Sequence, residues 1–214
     1  MSLIGTLPYL LSGEITNITD AFFETVSGYS TTGATIFVDI ESVGKGILLW
    51  RSLTQWIGGM GIIVLTVAIL PILGIGGMQL FVAEAPGISP DKFQPRIKET
   101  AKRLWMIYMG LTALEIVFLM VGDMSFYDAL NHSLTTMATG GFSTKNTSIA
   151  YYDSAYIDYV IIFFMFLAGT SFTVLYFGLH GRIKKAFDNQ EFRFYVWLCA
   201  VVTLFSALII DSNG

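Results

Sequence analysis

The sequence predicts an all-α integral membrane protein made of repeated helix–pore loop–helix units. The first observation is its apolar character: the chain is 54% hydrophobic and 13% charged, and residues 52–81 carry no charged side chain. A membrane-spanning helix needs about 20 mainly apolar residues, and 104–121, 159–179 and 194–210 are three further candidates. The second observation is a sequence pattern that occurs twice, 108 positions apart. Together these two observations exclude a soluble domain.

The repeated pattern begins with Asp-Ala and ends in a stretch rich in threonine and glycine. It reads DAFFETVSGYSTTG from Asp20 and DALNHSLTTMATGG from Asp128. Self-similarity at a fixed period is typical of a duplicated structural unit. Without any shift in register, Asp20, Ala21, Thr31, Gly33 and Gly61 fall on Asp128, Ala129, Thr139, Gly141 and Gly169.

Each copy predicts a short helix followed by an extended filter strand that returns to the same side of the membrane. The helices would have about ten residues, or ~15 Å, which is too short to span. They therefore re-enter, and non-helical backbone at membrane depth must be buried in protein or line water. The predicted order is a first unit over 1–81 (pore helix 19–29, filter 30–35, spanning helix 47–81), a link over 82–103, a second unit over 104–179 (helix 104–121, pore helix 128–137, filter 138–143, helix 159–179), a link over 180–193, and the leading helix of a third unit over 194–214.

The two ends of the chain break this period. Residues 3–13 are too short to span, whereas the second copy is preceded by a full leading helix, and the third unit would stop before its loop. We therefore expect a fragment of a longer protein that carries about two complete pore loops.

The basic residues are concentrated in the two predicted links. Nine of the 12 Lys and Arg side chains lie in 82–103 and 180–193. Lys and Arg collect on the cytoplasmic side of membrane proteins, so we expect both links inside and both loops outside. The outside would then hold ten of the 16 acidic residues. Either this acidic field concentrates cations, or the acids simply occupy the side that the charge rule leaves free.

The Thr/Gly loops have the composition of a cation filter. Rings of main-chain carbonyls can replace the hydration shell of an ion, and glycine relieves the cost of the backbone conformations that this requires. The carbonyl end of each short helix, with about half a negative charge, would also favour a cation. The predicted cation-filter residues are Thr31, Thr32, Gly33, Ala34, Thr139, Gly140, Gly141 and Phe142.

Several stretches resemble the Trk/Ktr/HKT superfamily of potassium transporters, and within it the bacterial TrkH/TrkG type. They are GYSTTGAT after DAFFETVS, RSLTQWIGGMGIIVLTVAILPILGIGGMQLF, AEAPG and NHSLTTMATGGFST, so the resemblance covers essentially the whole chain. It implies four units around one pore, with one key glycine in each filter strand, here Gly33 and Gly141. The third and fourth loops of that family have no counterpart in these residues.

The resemblance also implies a function, partners and a location. The function would be potassium ion uptake, with K+ as the transported ion and neither a covalent cofactor nor a nucleic acid. The chain would lie in the lipid of a bacterial cytoplasmic (inner) membrane. Its partners would be the remaining pore units, a second copy in a homodimer, and a cytosolic nucleotide-binding regulatory ring of the TrkA type.

Two other functions stay open at this point. One is a structural membrane subunit that transports nothing itself, and the other is a membrane enzyme subunit that uses Glu115 and His132. An acid inside a spanning helix is a functional candidate by default, and we expect Glu115 either to bond a pore helix or to contact the ion. Arg51 is expected to pair with Asp20 or Glu24 and brace the first loop.

Overall fold

The computed structural model describes residues 2–69, 94–171 and 187–212, with five single positions in between: Val174, Leu175, Gly178, Gly181 and Lys184. The regular secondary structure of these residues is helical, and they contain no β-strand. The chain divides into two compact units, Met1–Met165 and Phe166–Gly214. The all-α fold class is therefore confirmed.

Eight α-helices and one 3-10 helix are resolved within the described residues. Two spans, Lys102–Val121 and Gln190–Ile209, are apolar and long enough to cross a membrane. The α-helices are α1 (Ser2–Gly5), α2 (Leu7–Ser12), α3 (Ile18–Tyr29), α4 (Lys45–Ile69), α5 (Gln94–Val121), α6 (Phe126–Met137), α7 (Ala155–Ala168) and α8 (Gln190–Ser212), and the 3-10 helix is Ser148–Tyr152.

The two short helices α3 and α6 begin at side-chain caps. The Asn17 side chain accepts a hydrogen bond from the Thr19 amide, and the Ser125 side chain accepts one from the Asp128 amide. Such caps satisfy amides that have no partner inside the helix. An aspartate lies in the first turn of each helix, Asp20 and Asp128, where the helix dipole favours a negative charge.

Three longer helices differ in extent from the sequence prediction. Helix α5 begins at Gln94, so ten residues of the predicted link 82–103 are helical. Helix α7 ends at Ala168, and residues 169–171 form a turn, a bend and irregular backbone within the predicted helix 159–179. Gly169 follows the last helical residue, and glycine disfavours helix by about 1 kcal/mol relative to alanine. Helix α4 is described up to Ile69, and the rest of its predicted span to residue 81 lies outside the described residues.

Helix α4 packs closely against the ends of both short helices. A Cβ atom on Gly58 would overlap the carbonyl of Tyr29, the last residue of α3, and a Cβ atom on Gly59 would lie 3.1 Å from the Cα atom of Ala138, the residue after α6. Small residues allow helices in membranes to approach in this way. Both loops that follow α3 and α6 are consequently held beside one helix.

Helix α4 is also fixed to α5 by aromatic side chains. The Trp56 indole donates to the Thr112 hydroxyl at 3.1 Å, and the Tyr108 hydroxyl donates to the Trp56 carbonyl at 3.2 Å. The Trp56 and Tyr108 rings stack with their centroids 5.4 Å apart. These contacts join the long helix of the first repeat to the leading helix of the second.

Candidate ion-binding loops

The loops after α3 and α6 have the same backbone conformation at positions 108 residues apart. Thr31 and Thr139 both have φ of 56°, while Gly33 and Gly141 have φ of 77° and 79°. A positive φ is uncommon for a residue other than glycine. Its recurrence at two equivalent threonines therefore indicates that the two loops share the same local structure. The predicted filter segments form turns and irregular backbone rather than β-strands.

The same main-chain hydrogen bonds close both loops onto their helices. The Thr31 amide donates to the Gly28 carbonyl and the Thr139 amide to the Thr136 carbonyl, each at 2.9 Å. One residue further on, the amides of Thr32 and Gly140 donate to helix carbonyls in the same way. These bonds satisfy carbonyls at the helix ends that would otherwise lack partners.

A hydroxyl on each short helix holds the carbonyl that follows the loop glycine. The Ser27 hydroxyl donates to the Ala34 carbonyl at 2.6 Å, and the Thr135 hydroxyl donates to the Phe142 carbonyl at 2.8 Å. Two of the eight predicted filter residues therefore have carbonyls already bonded to their own helix. Ion coordination by these two carbonyls stays a prediction, and it would compete with the hydroxyl bonds.

The support behind each loop differs in chemistry but not in position. In the first copy, the buried Glu24 carboxylate accepts bonds from the Thr35 hydroxyl at 2.9 Å and the Ile36 amide at 3.1 Å. In the second, His132 Nε2 lies 3.0 Å from the Ser143 hydroxyl. His132 Nδ1 is 2.8 Å from the Asp128 carbonyl, which can only accept, so Nδ1 carries the proton and Nε2 accepts from Ser143.

Asp128 fixes the far end of the second loop. Its carboxylate accepts hydrogen bonds from the Thr144 hydroxyl at 2.6 Å and the Ser125 hydroxyl at 2.8 Å. Burial acts to raise the pKa of Asp128, but the hydrogen bonds from Thr144 and Ser125 together with the nearby charge of Lys145 outweigh it, so the pKa lies below its ordinary value. The carboxylate therefore stays ionised and keeps its acceptor role at neutral pH.

Arg51 pairs with Glu24 and not with Asp20. Its Nε lies 2.7 Å from Glu24 Oε1, and the two side chains are 1% and 0% exposed. The guanidinium carbon is also 4.0 Å from the centroid of the Phe142 ring in the second loop, within the range of a cation–π contact. One arginine thus contacts the support of the first loop and a residue of the second.

The two loops meet directly at their glycines. A Cβ atom on Gly33 would overlap the Gly140 carbonyl oxygen, and one on Gly140 would overlap the Gln55 side chain. Among the residues that the structure describes, nothing lies within 4 Å of the Cβ position of Gly141, and its positive φ is the feature that favours glycine there. The sequence-predicted residues of both copies are therefore brought together around one contact.

An open cavity of about 340 Å³ lies beside the second loop. Its lining combines the loop with residues of α6, α7 and the 3-10 helix, and includes Thr136, Thr139, Gly140, Gly141, Ile161 and Met165. The main chain of the second loop is therefore accessible from one side.

Glu115 lies on α5 and is fully buried. Among the described residues, neither of its carboxylate oxygens has a partner within hydrogen-bond distance, although the Thr136 side chain of α6 is close enough to influence it. No group of three or more metal-ligating side chains occurs in the part of the chain that the structure describes. Thr136 thus lies near Glu115 and also lines the cavity that His132 lines.

The sequence offers Glu24 as one of two partners for Arg51, but it does not predict the supporting roles of Ser27, His132 and Thr135 or the glutamine between the loops. The register itself contained part of the signal, because Ser27 aligns with Thr135 and Thr35 with Ser143, each pair conserving a hydroxyl. Gln55 gave no such signal, since position 163 in the second copy is phenylalanine. Its contacts join one copy to the other, and internal repetition does not report them.

The chain is similar to known proteins along nearly its whole length. The TrkH family model, described as a cation transport protein, matches residues 1–210. The Trk system potassium uptake protein TrkH of Escherichia coli K12 is 46% identical over 211 residues, covering 97% of this chain and 44% of the relative. TrkG of the same strain is 38% identical and covers 100% of this chain and 44% of the relative.

A solved structure is similar as well. The crystal structure of the potassium transporter TrkH from Vibrio parahaemolyticus matches with a TM-score of 0.84 and 39% identity, covering 99% of this chain and 43% of that chain. The chain thus spans less than half the length of the curated relatives and the structure that it matches.

Proposed function

The chain belongs to the TrkH family of cation transport proteins, and we propose that it supplies two of the units that line a potassium-selective uptake pore. The observation that carries this proposal is the pair of loops with one backbone conformation, in contact at Gly33 and Gly140. Relatives named as potassium uptake proteins support K+ as the transported ion. The chain lies in a bacterial cytoplasmic membrane in this proposal.

The filter is built from main-chain carbonyls. Helices α3 and α6 re-enter from the outer side, and the loops after them run along the pore axis. The carbonyls of Thr31, Thr32 and Gly33, with their counterparts at 139–141, face the ion. Those of Ala34 and Phe142 are held back by hydroxyls and complete the outer edge of the filter. Two further units close the ring, since carbonyls must surround an ion to replace its water.

The buried polar groups behind the loops give the filter its rigidity. A carbonyl can discriminate between two cations only if its position resists relaxation around the smaller one. Glu24 and His132 anchor the returning backbone on the side away from the ion. Both lie in the short helices, whose carbonyl ends add favourable electrostatic potential for a cation.

The partners follow from the same proposal. A second copy forms a homodimer, and a nucleotide-binding ring of the TrkA type docks on the cytosolic side near links 82–103 and 180–193. The enzyme alternative has less support, because both ring nitrogens of His132 are engaged by the loop and the helix. A purely structural subunit would not need two loops held in one strained conformation.

The filter proposal is tested by replacing the two glycines in the complete transporter. Gly33→Ser should lower the K+/Na+ permeability ratio about tenfold, which corresponds to about 1.4 kcal/mol, because the new Cβ would overlap the Gly140 carbonyl. Gly141→Ser should have a smaller effect, since only its positive φ is strained. The ratio is obtained from reversal potentials in planar bilayers.

Gly110→Ser is the matched control. Gly110 lies in α5, and no described residue comes within 4 Å of its Cβ position. This variant should therefore keep the wild-type ratio. Wild-type ratios in both Gly33→Ser and Gly141→Ser would exclude these loops as the filter.

A further inference from the structure

Two polar side chains of α4 lie between the filter loops. Arg51 and Gln55 are four residues apart and so lie on one face of the helix. They are 1% and 0% exposed. Burying polar groups in a protein interior is costly unless each is hydrogen-bonded. The presence of both side chains at the contact between the two loops, here called the joint, therefore requires a physical reason.

Gln55 touches both loops with a single amide. Its Oε1 accepts a hydrogen bond from the Phe142 amide at 3.3 Å, in the second loop. Within the described residues its Nε2 has no hydrogen-bond partner, and it lies 3.6 Å from the position of a Cβ atom on Gly33, in the first loop. The amide also packs on the α-carbon of Gly140, where a side chain would collide with it.

The backbone of Phe142 is consequently held from two helices at once. Its amide is bonded to Gln55 on α4 and its carbonyl to Thr135 on α6. The equivalent residue of the first loop, Ala34, shares only the carbonyl bond, to Ser27. Position 163, equivalent to Gln55, is a phenylalanine that is 57% exposed. The Gln55 contact is thus specific to the joint between the two loops.

We propose that Gln55 is a selectivity-determining positioning residue: it sets the spacing between the two filter loops without contacting the ion. This inference rests on the proposed filter function. Ion selectivity is a small difference between large dehydration and coordination energies, so a small displacement of one loop relative to the other changes it. Arg51 supports the same joint through Glu24 and the Phe142 ring.

The test compares three variants of the complete transporter. Gln55→Met keeps the length of the side chain but removes the acceptor of the Phe142 amide. Losing that bond should lower the K+/Na+ permeability ratio roughly three- to tenfold. Gln55→Glu keeps an acceptor oxygen for the Phe142 amide in the same position. This variant should therefore retain at least half of the wild-type ratio. Each ratio is measured on protein that elutes in gel filtration at the same position as the folded wild type.

Ser52→Ala is the structural control. The Ser52 hydroxyl donates to Asn131 Oδ1 on α6 at 2.8 Å, so this variant also removes a buried bond between α4 and a short helix. It should lower thermal stability and leave the ratio unchanged. Should Gln55→Met not fold, Gln55→Ser replaces it with the same expected loss.

The outcomes separate this inference from the filter assignment. If Gly33→Ser lowers the ratio but folded Gln55→Met does not, Gln55 plays no part in selectivity and this inference fails alone. If Gly33→Ser, Gly141→Ser and Gln55→Met all keep the wild-type ratio, the filter assignment fails with it. A loss in Ser52→Ala as large as that in Gln55→Met would reduce Gln55 to general packing and overturn the inference.

Discussion

Glu24 and His132 occupy equivalent positions, 108 residues apart. Each accepts a hydrogen bond from a side-chain hydroxyl in the segment that follows its loop, Thr35 in the first copy and Ser143 in the second. The imidazole is satisfied as a neutral ring by a carbonyl and a hydroxyl. The carboxylate is a buried charge, and a buried charge needs a counterion. Arg51 supplies it, so the first loop depends on an ion pair where the second does not.

Removing Arg51 should therefore destabilise the first loop in two ways. The contacts of Arg51 are lost, and the buried charge of Glu24 is left without a counterion. Arg51→Met leaves Glu24 as a fully buried carboxylate without a cation, and breaking such a pair costs about 3–5 kcal/mol. The double variant Glu24→Gln/Arg51→Met removes both charges and should recover more than half of the loss. Thermal midpoints of the purified transporter measure this coupling. A double variant less stable than Arg51→Met would contradict the counterion role.

At the scale of elements, the segments that follow the two loops are joined to each other by hydrogen bonds. Asn146 Nδ2 donates to Asp39 Oδ1 at 2.8 Å, and the Ile40 amide donates to Asn146 Oδ1 at 2.7 Å. The Asn146 amide in turn donates to Glu41 Oε1 at 3.3 Å. One asparagine side chain thus ties the segment after the first loop to that after the second.

The hydrogen bonds between Asn146 and the segment 39–41 should weaken in acid. The hydrogen bond from Asn146, followed by bonds from the Glu41 amide and from Ser42, lowers the pKa of Asp39. A lowered folded-state pKa contributes stability above the ordinary value, about pH 4, and this contribution is lost as the pH falls through the folded value. The difference in thermal midpoint between wild type and Asp39→Ala should therefore shrink below that pH.

The matched background for this experiment is Asn146→Ala. With the donor removed, Asp39→Ala should make little difference to the pH dependence of the thermal midpoint. A pH dependence that persists unchanged in the Asn146→Ala background would assign the effect to another acid.

Features encoded locally could be predicted from the sequence. The short helices were predicted over 19–29 and 128–137 and lie at Ile18–Tyr29 and Phe126–Met137. Apolar runs, capping residues and the period of the repeat depend on neighbours along the chain. The start of α5 was harder to predict, because its first turns are polar and resemble a link.

Contacts between the two copies could not be predicted in this way. Gln55 lies in a run without charged residues, and nothing in its neighbours indicates that it faces a loop from the other copy. The choice of Glu24 over Asp20 as the partner of Arg51 likewise depends on how α3 turns toward α4. Such details arise from tertiary packing. The periodicity within one helix carries no information about which distant segment packs against it.

At the scale of the whole molecule, the length of α5 bears on orientation. Its 28 residues correspond to about 42 Å of helix, which exceeds the ~30 Å hydrocarbon core of a bilayer. The apolar span is Lys102–Val121, so the excess lies at the N-terminal end, where the sequence is basic. The positive-inside rule predicts that this end faces the cytoplasm and that the loop after Val121 lies outside.

Cysteine labelling in intact cells tests this orientation. In a Cys199→Ser background, cysteines at Lys102 and Lys184, both exposed, should resist an impermeant thiol reagent added outside and react after the membrane is permeabilised. A cysteine at Ser42, exposed in the segment after the first loop, should react without permeabilisation, because that segment is predicted to face outward. Ser42→Cys also controls for reagent activity. Labelling of Lys102→Cys but not Ser42→Cys in intact cells would reverse the topology and place the proposed filter on the cytoplasmic side.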